Sequence, residues 1–235
     1  MQLFYHPNSS EASKEITFDK EESRHIGKVL RKQEGDVLDI TNGKGYFFKA
    51  ELTIVTPKKC IARITETKKE TPLPYQLHIA AAPTKSNDRF ETFLEKATEI
   101  GITEITPIIC DHSERKTIKP ERYEKIIQSA MKQSLKAYLP LLNKAVSLKE
   151  FLQKTHEEDL KCIAHCEETD KKSLKSVVEK QQSVLILIGP EGDFSSEEIS
   201  LAKQNGFIPV TLGESRLRAE TAALVATHSV AFVNE

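Results

Sequence analysis

The chain has 235 residues, of which 38% are hydrophobic and 29% charged, and its formal net charge is −1. This length can bury a sizeable core and is sufficient for two domains. The sequence contains no run near the roughly 20 apolar residues that span a bilayer, and residues 1–7 lack the charged-then-apolar order of a signal peptide. These features argue against a membrane protein. With four cysteines and no secretory cue, the sequence predicts reduced thiols and a cytoplasmic location.

Charge is distributed unevenly along the chain. Residues 1–70 carry 13 Lys and Arg against 11 Asp and Glu, a net charge of +2, and the remainder carries −3. Neither part is strongly basic, so contact with a nucleic acid has to come from local clusters. Arg24, Lys28 and Arg31, with His25 beside them, share one face if residues 21–31 form a helix. This stripe predicts contact with an RNA backbone, and a solvated helix face explains its spacing equally well.

Short strands follow this helix. Residues 36–41 and 46–55 flank the sequence Asn42-Gly-Lys-Gly45, which is a hairpin signal, and residues 60–65 form a further predicted strand. The region predicts a small β-barrel that carries one helix. A change in composition at residues 68–74 ends it, so we expect two domains, residues 1–70 and residues 71–235.

Strands and helices alternate after this break. Strands are predicted at residues 76–82, 105–110, 141–146, 160–166, 184–188 and 207–212. Helices are predicted at residues 89–100, 120–138, 148–154, 171–179, 196–204 and 219–232. Such alternation predicts an α/β fold in which a mostly parallel sheet has helices on both faces. Ligands of such a sheet bind in the crevice beyond the carboxyl ends of its strands.

The first of two glycine-containing turns at that edge is Gly189-Pro-Glu-Gly192-Asp193. Its glycines allow positive φ or a close approach of the backbone to a ligand. Ser195 and Glu198 have the spacing of a capping box, which predicts that a helix starts there. The turn lacks the phosphate-loop and dinucleotide-binding patterns. An ordinary strand-to-helix turn explains it as well as a ligand site does.

The second turn follows the last predicted strand at Gly213. Arg216 and Arg218 precede a helix of small residues that Glu220 opens. Two arginines beside a helix N-terminus suit an anion or an RNA backbone. The alternative is a basic surface turn in which Glu220 simply complements the helix dipole.

Two other groups of residues contain types of side chain that occur in functional sites. Cys162, His165 and Cys166 superficially resemble metal ligands, but they lie within one predicted strand and have no fourth ligand at zinc spacing. We therefore predict no metal site. Three further histidines, His78, His112 and His228, lie outside the two turns and are expected to pack or to face water.

The two turns together resemble one family. The segments Ile188-Gly-Pro-Glu-Gly-Asp-Phe-Ser195 and Leu212-Gly-Glu-Ser-Arg-Leu-Arg-Ala-Glu-Thr-Ala222 are similar to the cofactor loops of the 16S ribosomal RNA uridine N3-methyltransferases, which belong to the SPOUT class. Further matches occur in order upstream, at residues 24–36, 85–89, 95–101, 133–134 and 139–140. The resemblance therefore covers nearly the whole chain.

This resemblance implies a fold, a reaction and partners. It implies a PUA-like RNA-binding barrel over residues 1–70 and a SPOUT methyltransferase domain over residues 71–235 with a C-terminal trefoil knot. The expected cofactor is S-adenosylmethionine, without a metal, and the expected substrate is 16S ribosomal RNA or the small ribosomal subunit. It also implies a homodimer. Apolar residues on several faces of the helix at 219–232 suit burial in a partner, or within one domain.

The resemblance also implies functional residues. Glu191 and Glu220 are the candidate bases for the N3 proton, and Arg218 is the candidate for stabilising the uracil oxyanion. Alternatively, Glu220 and Arg218 have a structural role. Lys85 and Arg89 are expected to contact RNA, and Asp88 to orient it or to cap a helix. Cofactor contacts are expected from Leu187, Ile188, Gly189, Pro190 and Gly192 in the first loop and from Leu212, Gly213, Ser215, Leu217, Arg218, Thr221 and Ala222 in the second.

The chain departs from the family pattern at four positions, one of which is Lys132 where the family has a glutamate. Asp193 stands where the family usually has a second glycine, which is harmless to the pocket provided that the position does not require positive φ. Ala219 stands where a threonine is frequent, and Lys136 replaces an arginine and its bidentate geometry. Two other functions therefore stay open: a knotted methyltransferase that acts on another RNA such as transfer RNA, and a non-catalytic RNA-binding factor of ribosome assembly.

Overall fold

The structure is a computed structural model that describes residues 2–168 and 170–235. The chain divides into two compact units. The first comprises Met1–Pro72 and Met131–Leu139, and the second comprises Leu73–Ala130 and Pro140–Glu235. Among the described residues, none of the helices is long and apolar enough to cross a membrane.

The first unit is built on a five-stranded sheet that curls around one apolar core. The strand order is β1-β3-β4-β5-β2, with β1 parallel to β3 and the other neighbours antiparallel. The hairpin predicted between β3 and β4 is confirmed, and Gly43 and Gly45 have φ angles of 69° and 94° there. The strands are β1 Leu3–Tyr5, β2 Glu15–Thr17, β3 Val37–Thr41, β4 Tyr46–Val55 and β5 Cys60–Lys69.

The helix predicted at residues 21–31 is not a single helix. Helix α1, Lys20–Arg24, is followed by a π-helical turn, His25–Val29, in which the Leu30 amide donates to the carbonyl of His25 at 2.9 Å. Arg31 then adopts a positive φ of 54° and ends the element. The prediction that Arg24, Lys28 and Arg31 share the face of one helix is therefore wrong, because the wider turn and the left-handed residue change their directions.

The second unit contains an eight-stranded sheet in which every pairing is parallel, which confirms the predicted α/β architecture. The order is β11-β13-β10-β12-β6-β7-β8, and β9 also pairs with β7. The strands are β6 Gln76–Ala81, β7 Glu104–Ile109, β8 Leu141–Leu142, β9 Val146–Ser147, β10 Leu160–Ala164, β11 Lys172–Ser173, β12 Ser183–Ile188 and β13 Ile208–Thr211.

Helices cover both faces of this sheet. On one face, α4 and α6 pack against a core that includes Ala80, Leu185 and Leu187. Helix α7 packs against α2 and contacts β6 and β12. Side chains of a strand point alternately to the two faces, so both faces are apolar in the central strands. The helices are α2 Asn87–Ile100, α3 Pro120–Gln133, α4 Leu148–Leu152, α5 Leu174–Val177, α6 Ser196–Gln204 and α7 Ala219–Asn234.

Three predicted elements differ from the structure. The helix predicted at 120–138 ends at Gln133, because Leu135 has a positive φ of 55°, and residues 131–139 belong to the first unit. The strand predicted at 141–146 is two short strands on β7, because the three residues 143–145 stand opposite only two residues of β7, which interrupts the pairing. There the side chain of Asn143 donates to the side chains of Glu104 and Thr106. The helix predicted at 171–179 is only β11 and the short α5.

Candidate active site

Two adjoining cavities lie at the carboxyl ends of β10, β12 and β13. Their volumes are about 460 and about 300 Å³. They are neighbours, because they share the wall residues Ala164, Cys166, Arg216, Leu217 and Ala222. Residues 210–217, together with His165 and Lys171, complete the larger cavity, and residues 188–191 with Asp193, Arg218 and Ala219 complete the smaller one.

Most residues predicted to bind the cofactor line this space. The smaller cavity has Ile188, Gly189, Pro190, Leu217, Arg218 and Ala222 in its wall, and the larger has Leu212, Gly213, Ser215, Leu217 and Ala222. Three predicted residues lie outside both walls: Leu187, Gly192 and Thr221. Leu187 is fully buried in the core with α4 and α6. The structure thus brings the two turns together at the predicted edge of the sheet.

The two glycines of the first turn lie close to neighbouring side chains. Neither has a positive φ, which corrects one of the two expectations for them. A Cβ at Gly189 would lie 3.1 Å from the ring of Phe194, and one at Gly192 would lie 3.0 Å from the Cβ of His112. Such contacts are tighter than ordinary van der Waals separations. A side chain at either position would therefore require a neighbouring group to shift by a few tenths of an ångström.

Asp193 takes the positive φ that the turn requires, at 63°. The condition under which this departure from the family pattern would be harmless, a position without positive φ, is therefore not met. Asp is among the residues that enter this region more readily than other L residues. Its carboxylate also accepts the amide N–H of Cys166 at 2.7 Å. Asp193 thereby ties the first turn to the end of β10.

The first turn is fixed by several further hydrogen bonds. The predicted capping box of Ser195 and Glu198 is present, and Glu198 also accepts the amide of Asp111 at 2.9 Å. The Nδ1 of His112 lies 3.0 Å from the carbonyl of Gly192 and 3.1 Å from that of Asp193. His112, which lies outside the two turns in sequence, was expected to pack or to face water. It is exposed, and its ring packs against the first turn through these contacts.

The second turn is more open. Gly213 has a φ of 138°, and no atom of the described residues lies within 4 Å of the place where its Cβ would be. The hydroxyl of Thr211 donates to the carbonyl of Gly213 at 2.9 Å. Arg216 and Arg218 are exposed, and both line the smaller cavity. Here glycine is needed for backbone conformation, which is the reverse of the situation in the first turn.

The candidate bases have different surroundings. Glu191 lines the smaller cavity, and its Oε1 accepts the amide of Lys85 at 2.9 Å. Glu220 lines neither cavity, and its Oε1 lies 3.9 Å from Nε of Arg89. The other oxygen of Glu220 is buried without a hydrogen-bond partner among the described residues. Glu191 is thus the carboxylate that faces the cavity, whereas Glu220 pairs with α2.

Sequence reasoning missed His165 as a site residue. Its side chain lies in the wall of the larger cavity, and only 7% of its surface is exposed. Neither ring nitrogen has a hydrogen-bond partner in the described part of the chain. Burial lowers the pKa of His165, and the Lys171 ammonium lowers this pKa further. The sequence did contain a signal for this role, because His165 lies at the end of a predicted parallel strand. The residue was interpreted only as a possible metal ligand.

The residues predicted to contact RNA lie in both units. In the first unit Arg24, Lys28 and Arg31 are exposed and His25 is half-buried. In the second unit Lys85 is exposed, and its Nζ pairs with Glu114 at 2.8 Å, which raises the pKa of Lys85. Arg89 pairs with Glu220 as described above, and the side chain of Asp88 is 90% exposed. Asp88 does not cap α2, because Ser86 precedes the helix.

The candidate metal ligands differ in their exposure to solvent. Cys162 is buried in β10, which raises its pKa to about 12, whereas Cys166 is exposed at the end of that strand. Within residues 2–168 and 170–235, His, Cys, Asp and Glu form no group of three or more that could hold a metal ion.

A larger cavity lies at the opposite edge of the same sheet, where β6, β7 and β12 begin. Its volume is about 880 Å³, and Ala145 lies in its wall. His78, buried in the same wall, places Nδ1 3.2 Å from Glu158 and Nε2 2.7 Å from the hydroxyl of Thr106. Asn143 donates to Glu104 and to Thr106. The polar side chains of this cavity thus largely satisfy one another.

Comparison with known proteins identifies the family. The model for the RNA methyltransferase domain matches residues 71–231, and the model for the RNA methyltransferase PUA domain matches residues 18–65. The chain belongs to the RNA methyltransferase family. Its second unit has the SPOUT fold, and its first is PUA-like, as the resemblance implied. The trefoil knot stays a prediction.

Individual members of this family are similar over most of their length. The ribosomal RNA small subunit methyltransferase E of Buchnera aphidicola is 33% identical over 221 residues, which cover 89% of this chain and 85% of that protein. A probable rRNA methyltransferase of Porphyromonas gingivalis has 40% identity and a TM-score of 0.91, covering 100% and 98% of the two chains. The structure of ribosomal RNA small subunit methyltransferase E of Neisseria gonorrhoeae, bound to S-adenosyl methionine, has 26% identity and a TM-score of 0.88, covering 100% and 98%.

Proposed function

We propose that this RNA methyltransferase transfers a methyl group from S-adenosylmethionine to N3 of a uridine in 16S, or small-subunit, ribosomal RNA. The observation that carries the proposal is the pair of adjoining cavities between the two turns, whose walls include a candidate base and two arginines. Relatives that match most of the chain carry the name ribosomal RNA small subunit methyltransferase E. One such protein is bound to S-adenosyl methionine in its structure.

The residues of the cavity fit this cofactor. Leu212, Leu217 and Ala222 supply apolar wall, which suits the faces of a nucleoside base. The buried nitrogens of His165, which have no partner in the part of the chain that the structure describes, supply polar groups that a ligand can satisfy. When bound, S-adenosylmethionine supplies a methyl group that its sulfonium already activates, so the protein has to align the reactants and accept a proton.

We assign the acid–base role to Glu191. Its carboxylate lies in the wall of the smaller cavity, and the amide of Lys85 holds one of its oxygens. The second oxygen can accept the N3 proton. Arg218 lies in the same wall, where its guanidinium stabilises negative charge on the uracil oxygens. Glu220 positions Arg89 instead, since the pair lies outside the cavity wall.

RNA contact is assigned to both units. Arg24, His25, Lys28 and Arg31 of the first unit bind the RNA backbone, and Lys85 and Arg89 of the second unit assist them. The matched PUA domain supports this assignment for the first unit. Phosphate contacts of this kind make binding dependent on salt. Reversal of Arg24, Lys28 and Arg31 to Glu should weaken RNA binding and reduce its salt dependence while cofactor affinity is retained.

We also propose that the chain acts as a homodimer in the cytoplasm. Phe232 on α7 is 65% exposed, and such a large apolar side chain on the last helix suits burial in a second copy. The four cysteines are free, which fits a reducing compartment. Light scattering after size exclusion tests the dimer, and Phe232→Glu should yield monomers.

The proposed reaction is tested by methyl transfer from tritiated S-adenosylmethionine. Isolated small ribosomal subunits, naked small-subunit RNA and transfer RNA are offered separately, and the nucleosides are identified by mass spectrometry. We expect 3-methyluridine in small-subunit RNA, either naked or assembled. Label in transfer RNA alone would support the other substrate, and cofactor binding without transfer to any of these RNAs would support a non-catalytic assembly factor.

A further inference from the structure

His165 is the first residue after β10 and is nearly inaccessible to solvent. Both of its ring nitrogens lack a hydrogen-bond partner among residues 2–168 and 170–235. Buried polar groups in proteins are nearly always hydrogen-bonded, so an unpartnered buried ring is a reason to look for a missing ligand. The wall of the larger cavity contains this residue, which gives a ligand access to it.

The charge state of His165 limits what it can bind. Nζ of Lys171 donates to the carbonyl oxygens of His165 and Glu167 at 3.1 and 2.8 Å, so an ammonium is fixed beside the residue. Burial lowers the pKa of His165 below its ordinary value of 6.5, and this ammonium lowers it further, against the smaller opposing effects of the Asp193 and Glu167 carboxylates. The ring is therefore neutral at pH 7, with one donor and one acceptor nitrogen. A neutral ring suits the amine, ring nitrogens or hydroxyls of a nucleoside better than it suits a carboxylate.

The position of His165 in the larger of the two adjoining cavities indicates which part of the cofactor it contacts. Glu191 and Arg218, to which the proposed function assigns the chemistry, line only the smaller cavity. His165 lines only the larger one, beside the apolar side chains of Leu212 and Leu217. The reacting sulfonium belongs near the former pair, so the flat and largely apolar adenosine part extends toward His165.

We infer that His165 forms a hydrogen bond with the adenosine part of S-adenosylmethionine and so contributes to cofactor selection. The inference rests on the proposed function, because it assumes that this cofactor occupies the two cavities. The contact satisfies one ring nitrogen that the described residues leave unpaired. It predicts that a substitution without ring nitrogens weakens every ligand that carries adenosine, whether or not the ligand has an amino-acid part.

The test is calorimetric titration of the wild type and of His165→Phe with two ligands, S-adenosylmethionine and 5′-methylthioadenosine. The second ligand lacks the amino-acid part. We expect His165→Phe to bind both about tenfold more weakly, which corresponds to about 1.4 kcal/mol, and His165→Asn to recover part of the loss. His6→Phe, the same change at a histidine of the first unit, is the matched control and should leave both affinities unchanged.

Each outcome decides a different point. Wild-type affinity of His165→Phe for S-adenosylmethionine would overturn the inference, as would a loss confined to this ligand, which would place the contact on the amino-acid part. Failure of the wild type to bind either ligand would contradict the proposed function itself. If His165→Phe does not fold, the ring ¹⁵N shifts of His165 in the wild type decide, because an unchanged shift on cofactor binding would also overturn the inference.

Discussion

The two edges of the parallel sheet differ in how their polar groups are satisfied. At the amino edge, the cavity of about 880 Å³ is lined by side chains that pair with one another, as His78 does with Glu158 and Thr106. At the carboxyl edge, one of the two adjoining cavities has the buried ring of His165 in its wall, and neither ring nitrogen has a hydrogen-bond partner among the described residues. Cavity size therefore favours one edge and unsatisfied chemistry the other. We give more weight to chemistry, because a buried polar group without a partner costs free energy that a ligand can recover.

The largest expected effect is a loss of turnover on substitution at the carboxyl edge. Glu191→Gln at the carboxyl edge should slow methyl transfer by about 10²–10⁴-fold, the usual contribution of a general base. Cofactor affinity should change little, because the amide can still accept the N–H of Lys85. Single-turnover rates and calorimetry check both quantities. Glu220→Gln is the matched comparison, and a similar loss of rate only in that variant would reassign the base.

The second prediction concerns stability at the amino edge. Thr106→Val preserves shape but leaves Nε2 of buried His78 without the hydroxyl at 2.7 Å, so we expect a loss of about 1–3 kcal/mol in the free energy of unfolding. Urea unfolding measures this loss. Cofactor affinity should not change. Thr98→Val is the control, because the hydroxyl of Thr98 donates to Leu94 of its own helix and leaves no ring unpaired.

The third prediction concerns the backbone conformation of the first turn, at the carboxyl edge. Asp193→Ala and Asp193→Gly both remove the bond to Cys166, but only alanine must adopt a φ near 63° with a Cβ and no compensating polar group. Asp193→Ala should therefore be less stable than Asp193→Gly by about 1–2 kcal/mol. Thermal unfolding of the pair tests this difference. Equal stability of the two variants would show that the turn relaxes without strain.

The smallest expected effect is a pH dependence at the amino edge. A hydrogen bond from His78 lowers the pKa of Glu158 below its ordinary value of 4.5. A carboxyl whose pKa is lowered by folding stabilises the protein above the unfolded pKa, and this contribution is lost as the pH falls through the folded pKa. The wild type should therefore lose its stability advantage over Glu158→Gln below about pH 4.5. A difference that stays constant from pH 6 to pH 3 would contradict this assignment.

Patterns that are local in sequence predicted much of the fold. The apolar runs at β6, β10 and β12 predicted buried parallel strands, and the spacing of Ser195 and Glu198 predicted the start of α6. Left-handed residues were missed, because Arg31 and Leu135 adopt positive φ without the glycine that would have indicated it. The strands β1 and β2 were missed because three residues show too little periodicity.

The candidate site was predicted less completely than the fold. Gly213 and Arg218 were expected in the wall because they follow strand ends, and they lie there. The role of Gly192 was not accessible from sequence, since it depends on His112, which lies 80 residues away along the chain. His165 was missed for a similar reason. Whether the ring nitrogens of a histidine have hydrogen-bond partners depends on every group around the ring, and those groups come together only in the folded structure.

The central claim is that S-adenosylmethionine binds between the two turns at the carboxyl edge and not in the cavity of about 880 Å³ at the amino edge. The most direct measurement titrates this cofactor into two folded variants that each place an indole in one cavity. Ala222→Trp obstructs the space between the two turns, and Ala145→Trp obstructs the cavity at the amino edge. We predict loss of binding in Ala222→Trp and wild-type affinity in Ala145→Trp. Retained binding in Ala222→Trp with loss in Ala145→Trp would contradict the account.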